Sequence, residues 1–116
     1  MPTRKATSTN FENQVTNKAC PVSFTLDIIG GRWKPLILYQ LVLSSKRYNE
    51  IKKGIPNITE KMLIEKLKEL EADGLVLRKA LPVVPPHVEY TLSAKGKTLS
   101  PVLDALAQWG FSNMKQ

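Results

Sequence analysis

The chain holds one cysteine and one histidine in 116 residues, and it has no apolar run near the length of a membrane span. Each scarcity excludes something. A single cysteine rules out an internal disulfide framework, and nothing points to secretion. A metal centre would need several His, Cys or carboxylate ligands, and one of each ring and thiol is too few. A Cys–His nucleophilic pair would need Cys20 beside His87, but one precedes the first expected helix and the other sits on a hairpin. There is no phosphate-cradling glycine loop, since Gly30-Gly31 only ends a helix. Catalysis is not expected, and no metal or cofactor is implied. With no apolar stretch of about 20 residues and no signal-peptide pattern, the chain reads as cytoplasmic, with no membrane partner.

Acidic residues are also in the minority. Seventeen Lys/Arg against 10 Asp/Glu leave a formal charge of +7, a balance that favours anionic partners, chiefly nucleic acid or an acidic membrane face. The charge is not one block. From Lys46 to Lys79 nine Lys/Arg stand among six Asp/Glu, so DNA binding would rest on a few placed residues. The length allows one domain with a modest core.

Residues 1–19 are polar, with Phe11 and Val15 the sizeable apolar groups, and read as a flexible arm in which Arg4 and Lys5 could touch phosphates. The domain is expected over residues 20–116. Cys20-Pro21 opens a helix, because proline suits the first helical position; Phe24, Ile28 and Ile29 keep its rhythm until Gly30-Gly31. A second helix, starting near Pro35 and carrying Leu36, Ile37, Leu38, Leu41 and Val42, is apolar almost all round and reads as the buried central helix. Trp33 reads as an anchor at the junction. Ser44 to Arg47 is a connector long enough for one small strand, and Tyr48 to Gly54 is a brief helix with Ile51 inward. Ile55-Pro56-Asn57 is a turn.

The stretch Ile58 to Val76 has both ends marked. Thr59 is an N-cap, and Ile58 with Leu63 forms a hydrophobic staple. Gly74 is the stop, because glycine enters the left-handed conformation without steric cost. Leu63, Leu67 and Leu70 make one narrow apolar stripe, with Lys61, Glu65, Lys68 and Ala72 opposite and Ile64 on the flank. Two helices joined by a tight turn make a helix-turn-helix. After Gly74 the period turns extended. Leu75 to Leu81 and the alternating Val88, Tyr90 and Leu92 form a hairpin around a loop, Pro82 to Pro86, with three prolines. Ser93 caps a final helix with Leu99, Val102, Leu103, Leu106 and Trp109 on one face, which Pro101 should kink or divide. The expected fold is α+β and mainly helical: a winged helix-turn-helix with a C-terminal dimerisation helix.

Cys20-Pro21-Val22, Ile29-Gly30-Gly31-Arg32-Trp33-Lys34, Tyr48-Asn49-Glu50-Ile51, Glu69-Leu70-Glu71-Ala72-Asp73-Gly74-Leu75-Val76, Val84-Pro85-Pro86 with Val88-Glu89-Tyr90, and Trp109-Gly110 together resemble the HxlR-type winged-helix transcription regulators of bacteria. The match runs from about Cys20 to Gly110. It implies a homodimeric DNA-binding regulator whose terminal helices make the dimer. It also implies that Cys20 matches the cysteine through which some members sense oxidants or electrophiles. One departure stands out: the family often has arginine after the wing's Pro-Pro pair, and here it is His87.

For double-stranded DNA the favoured contacts are Thr59, Lys61, Ile64, Glu65 and Lys68 on the recognition helix, with Lys61 first. Thr59 is also the cap, and Glu65 either accepts from a cytosine amino group or pairs with Lys61 or Lys68. Lys46, Arg47, Lys52 and Lys53, and Arg78, Lys79 and His87 on the wing, are backbone-contact candidates, each equally readable as solvated surface. Leu99, Val102, Leu103, Leu106 and Trp109, joined by Phe24 and Phe111, are the expected dimer seam, being more apolar stripe than a domain of this size needs. Cys20 reads as a plain helix start or as a redox or electrophile switch. A helix N-terminus, with Lys18 nearby, favours the thiolate. The competing function is a winged helix that binds only protein or RNA.

Overall fold

The computed structural model describes residues 20–114. The expected arm, with Arg4, Lys5, Phe11 and Val15, and Lys18 beside Cys20, lies outside the described residues. The described residues divide into two units at the junction of Gly31 and Arg32.

In the first unit, helix α1 (Pro21–Ile29) begins as its sequence dictates. Pro21 takes the first turn, where a missing N–H costs nothing, and the Cys20 Sγ accepts from the Ser23 N–H at 3.5 Å. The helix stops at Gly30, where a Cβ would run into the Leu26 carbonyl, and Gly31 follows with φ of 86°. Ile29 is buried, while Val22, Phe24 and Leu26 are exposed.

The second unit is built on helix α2 (Trp33–Leu43), which packs against α3, α4, α6 and strand β3. It starts two residues before the expected Pro35, which the first turn accommodates because no intrahelical N–H bond is due there. Arg32 stacks over Trp33, 5.1 Å from the ring centroid. Ile37, Leu38 and Leu41 are buried, but Leu36 and Leu43 are exposed, so α2 is central without being covered all round.

Strand β1 (Lys46–Arg47) leads into α3 (Tyr48–Gly54), whose Ile51 is fully buried and whose first turn is closed by the Glu50 carboxylate accepting the Arg47 N–H at 2.8 Å. The connecting turn places Ile55 and Ile58 in the core and puts Asn57 at φ of 72°, a conformation that asparagine tolerates better than most residues. Helix α4 (Glu60–Ala72) follows, then strands β2 (Val76–Leu81) and β3 (His87–Leu92). The wing is more than the expected two-stranded hairpin: β1 pairs antiparallel with β3, giving a three-stranded sheet of order β1-β3-β2. Pro101 divides the expected final helix. A single turn, α5 (Ala94–Lys97), is capped by Ser93, and α6 (Ser100–Asn113) starts with Pro101 in its first turn. Among the described residues no helix is long and apolar enough to cross a membrane.

Candidate nucleic-acid interface

Helix α4 is held from behind and left open in front. The Thr59 hydroxyl accepts the Met62 N–H at 3.1 Å, and Ile58 and Leu63, the two ends of the staple, are both buried. At the other end the Leu75 N–H donates to the Leu70 carbonyl and the Gly74 N–H to the Glu71 carbonyl, each at 3.0 Å, with Gly74 at φ of 75°. This pair of bonds is a Schellman closure, and it needs the left-handed residue that glycine supplies. Leu63, Leu67 and Leu70 are buried, and α4 packs on α2 and β2.

Lys61, Ile64, Glu65 and Lys68 are exposed on the side away from that stripe. Among the described residues the ion pairs are Lys34–Glu69 at 3.0 Å and Lys66–Glu69 at 3.4 Å. Glu65 is therefore paired with neither Lys61 nor Lys68, and the expected alternative of an intrahelical pair is not what the structure shows. The hydrogen bond from Lys34 holds the Glu69 carboxyl below its ordinary pKa against opposing desolvation, with Lys66 adding to the effect. The Lys34 side chain is 13% exposed, so this pair is a tie from α2 into the flank of α4.

The basic residues around α4 separate by role. Lys46 already has two partners within the chain: its ammonium donates to the Gln40 carbonyl at 2.8 Å and to the Ser44 Oγ at 3.0 Å, closing the last turn of α2. Lys52 is half-buried and Lys53 exposed, both in the last turn of α3, where positive charge also steadies the helix end. Arg47 is exposed at the start of α3.

The strand register decides which wing residues share a face. Arg47 and Lys79 are both partnered with Glu89, and Lys46 and Arg78 both with Tyr90. Directly opposite residues share a face and successive ones alternate, so Arg47, Lys79, His87 and Glu89 form one row. Arg78 lies on the other face, with Tyr90 and the buried Val76 and Leu92. That is the face turned to the helices. Arg78 and Lys79, grouped together from sequence, point to opposite sides.

The Tyr48 phenol, at the start of α3, is buried without a hydrogen-bond partner among the described residues. Burial first, then the Glu60 carboxylate and Tyr90, push its pKa up. It stays a neutral spacer behind the start of α4. Cys20 is half-buried, and no group of three or more His, Cys, Asp or Glu comes together as a metal site among the described residues.

On α6 the expected single stripe resolves into two. Leu103 is 3% exposed and belongs to the chain's own core, with Leu99, Ala107 and Gly110 half-buried beside it. Val102, Leu106 and Trp109, at i, i+4 and i+7, face outward with Phe111 and Met114. Leu103 is thereby removed from the residues available to a partner.

A model of the HxlR-like helix-turn-helix family matches residues 28–116. The chain is 48% identical over 103 residues to the HTH-type transcriptional regulator YybR of Bacillus subtilis (strain 168), covering 88% of this chain and 82% of YybR. It is 51% identical over 105 residues to the HTH-type transcriptional regulator BH0655 of Halalkalibacterium halodurans, covering 89% and 93%. Among solved structures it is similar to the redox regulator HypR in its oxidized form, with a TM-score of 0.79, 47% identity, and 84% and 100% of the two chains covered. The reduced form of the transcriptional regulator YodB from B. subtilis gives a TM-score of 0.70 and 39% identity, covering 83% and 95%. These regulators are not enzymes, and the solved ones share the winged-helix fold: the chain belongs to the HxlR-like helix-turn-helix family and is a winged-helix transcriptional regulator.

Proposed function

We propose that the protein acts as a homodimer on a two-fold symmetric DNA operator, reading bases with Lys61, Ile64, Glu65 and Lys68 of α4 in the major groove. The observation that carries this reading is the unpaired outer face of α4. A helix bound to its own core through a leucine stripe, with two lysines and a carboxylate left without ion-pair partners among the described residues, can offer them to base edges. Lys53 and Arg78 are the favoured backbone contacts; Arg47, Lys79 and His87, in one row on the other face of the sheet, and the half-buried Lys52 are secondary.

The dimer reading is supported by α6. Leu106, Trp109, Phe111 and Met114 are each more than half exposed, more contiguous apolar surface than a monomer usually leaves in water. Beside them an open apolar cavity of about 380 Å³ runs between α2 and α6, with Pro35, Leu36 and Tyr39 on the α2 side. A second copy of α6 would cover this surface. The exposed Phe24 of α1 is the candidate contribution from the first unit.

Cys20 is assigned as a switch for oxidants or electrophiles. Its Sγ stands half-buried at the N-terminus of α1, where it accepts the Ser23 N–H. The similarity to HypR, a redox regulator, supports the assignment. Two Cys20 thiols, one from each copy, would give up two electrons and two protons to an oxidant to form one disulfide, whereas a quinone would add to one thiolate.

Selection of duplexes from a random pool by the purified protein tests the reading. A palindromic site with half-sites about one helical turn apart is expected. Enrichment of no sequence, or binding only to RNA or protein, would remove it.

A further inference from the structure

The exit of α4 is gripped by the start of the C-terminal segment. The Ser93 hydroxyl donates to the Gly74 carbonyl at 2.6 Å and accepts the Gly96 N–H at 2.9 Å, while the Ser93 N–H donates to the Leu75 carbonyl at 2.9 Å. The Lys95 ammonium reaches the Asp73 carbonyl at 3.2 Å. Gly96 is buried against the same spot, where any Cβ would run into the Leu75 carbonyl. One residue thus meets three elements at once, two through its hydroxyl and one through its backbone N–H. Through Gly74 it holds the closing turn of α4, through Leu75 it closes the base of the wing, and through Gly96 it starts α5.

We infer that Ser93 is a positioning residue for DNA recognition, fixing the angle between helix α4 and the wing by its hydroxyl bond to the Gly74 carbonyl. The inference rests on the DNA reading proposed above. Helix and wing must meet the duplex together, so the joint between them decides whether both sets of contacts form in one pose. Ser93 bears no charge and follows the base of the wing, so its effect comes through that joint.

The capping role and the positioning role separate by substitution. Ser93→Thr keeps both the donor and the acceptor. Ser93→Asp keeps an acceptor for the Gly96 N–H, since aspartate is a good N-cap, but has no proton for the Gly74 carbonyl. Ser93→Ala loses both. The test uses full-length protein, the duplex that the wild type selects from a random pool, and a scrambled duplex of the same length. Ser93→Ala and Ser93→Asp are expected to bind the selected duplex about tenfold more weakly, the scale of one net hydrogen bond, with scrambled-duplex binding within about twofold of wild type. Ser93→Thr should bind both like wild type. Wild-type behaviour of Ser93→Asp would show that the residue only caps α5 and would overturn the inference, as would equal losses on both duplexes or failure of Ser93→Thr. Amide exchange at Gly74 and Leu75 in the free protein is a second readout. If the wild type selects no duplex, the DNA reading fails by itself. Faster exchange there in Ser93→Ala and Ser93→Asp, but not in Ser93→Thr, would still uphold the joint, and unchanged exchange would refute it.

Discussion

The Lys34 Nζ lies 3.0 Å from the Glu69 Oε1, and this pair ties the central helix α2 to the recognition helix α4 on the flank that faces away from DNA in the proposed pose. The tie is charge-assisted and leaves Lys34 little exposed, so removing one partner strands the other. Because the folded-state pKa of Glu69 is depressed, its contribution is present above the ordinary carboxylate pKa and is lost as pH falls through the depressed value. Lys34→Met should therefore show a flatter loss of stability on the acid side than wild type, measured as the denaturation midpoint from neutral pH down to strongly acid conditions. Identical acid limbs would remove the tie from the account.

The two stripes of α6 predict two different failures. Leu103→Ala opens a cavity in the chain's own core and should cost about 2–5 kcal/mol of stability. Leu106→Lys, on the outward stripe, should leave the fold intact and release a monomer in sedimentation at micromolar concentration. A dimer that survives Leu106→Lys together with a polar substitution of Trp109 would place the seam elsewhere.

What was legible in the sequence was local. The Thr59 cap, the leucine stripe and the Gly74 stop of α4 are neighbours along the chain, and each carries its own residue preference. What was hidden joins distant residues. Nothing in Lys46-Arg47 announces that this short strand pairs with Tyr90 and Glu89, and the pairing puts Arg78 and Lys79 on opposite faces. The charge of Lys46 is visible in the sequence, while its two acceptors at the end of α2 are not. Leu103 and Leu106 are both apolar at helical spacing, and only the packing of α6 on α2 tells inside from outside. The Lys34–Glu69 tie and the Ser93–Gly74 bond carry no sequence signature that separates them from ordinary surface pairs and caps.

The register makes the wing asymmetric. Arg78→Ala should weaken selected and scrambled duplexes alike and lower the salt slope by about one unit, and Lys79→Ala should do markedly less. Titrations at several salt concentrations decide it. Equal effects would mean that the face assigned to DNA is wrong.

For Cys20 the comparison is wild type against Cys20→Ser, before and after diamide or a quinone. Treatment should change operator affinity in wild type and leave Cys20→Ser unmoved. A thiol shown by mass to be modified, with wild-type affinity unchanged, would leave Cys20 as a helix cap and no more.

The central claim is that the outer face of α4 reads base sequence, and Lys61 tests it most directly, being exposed near the helix start and free of intramolecular partners among the described residues. The measurement is the ratio of affinities for the selected operator and a scrambled duplex, wild type against Lys61→Ala, at one salt concentration. This ratio should fall about tenfold or more, the scale of one lost base contact, while scrambled-duplex binding changes by no more than one phosphate contact would explain. An unchanged ratio would contradict the claim.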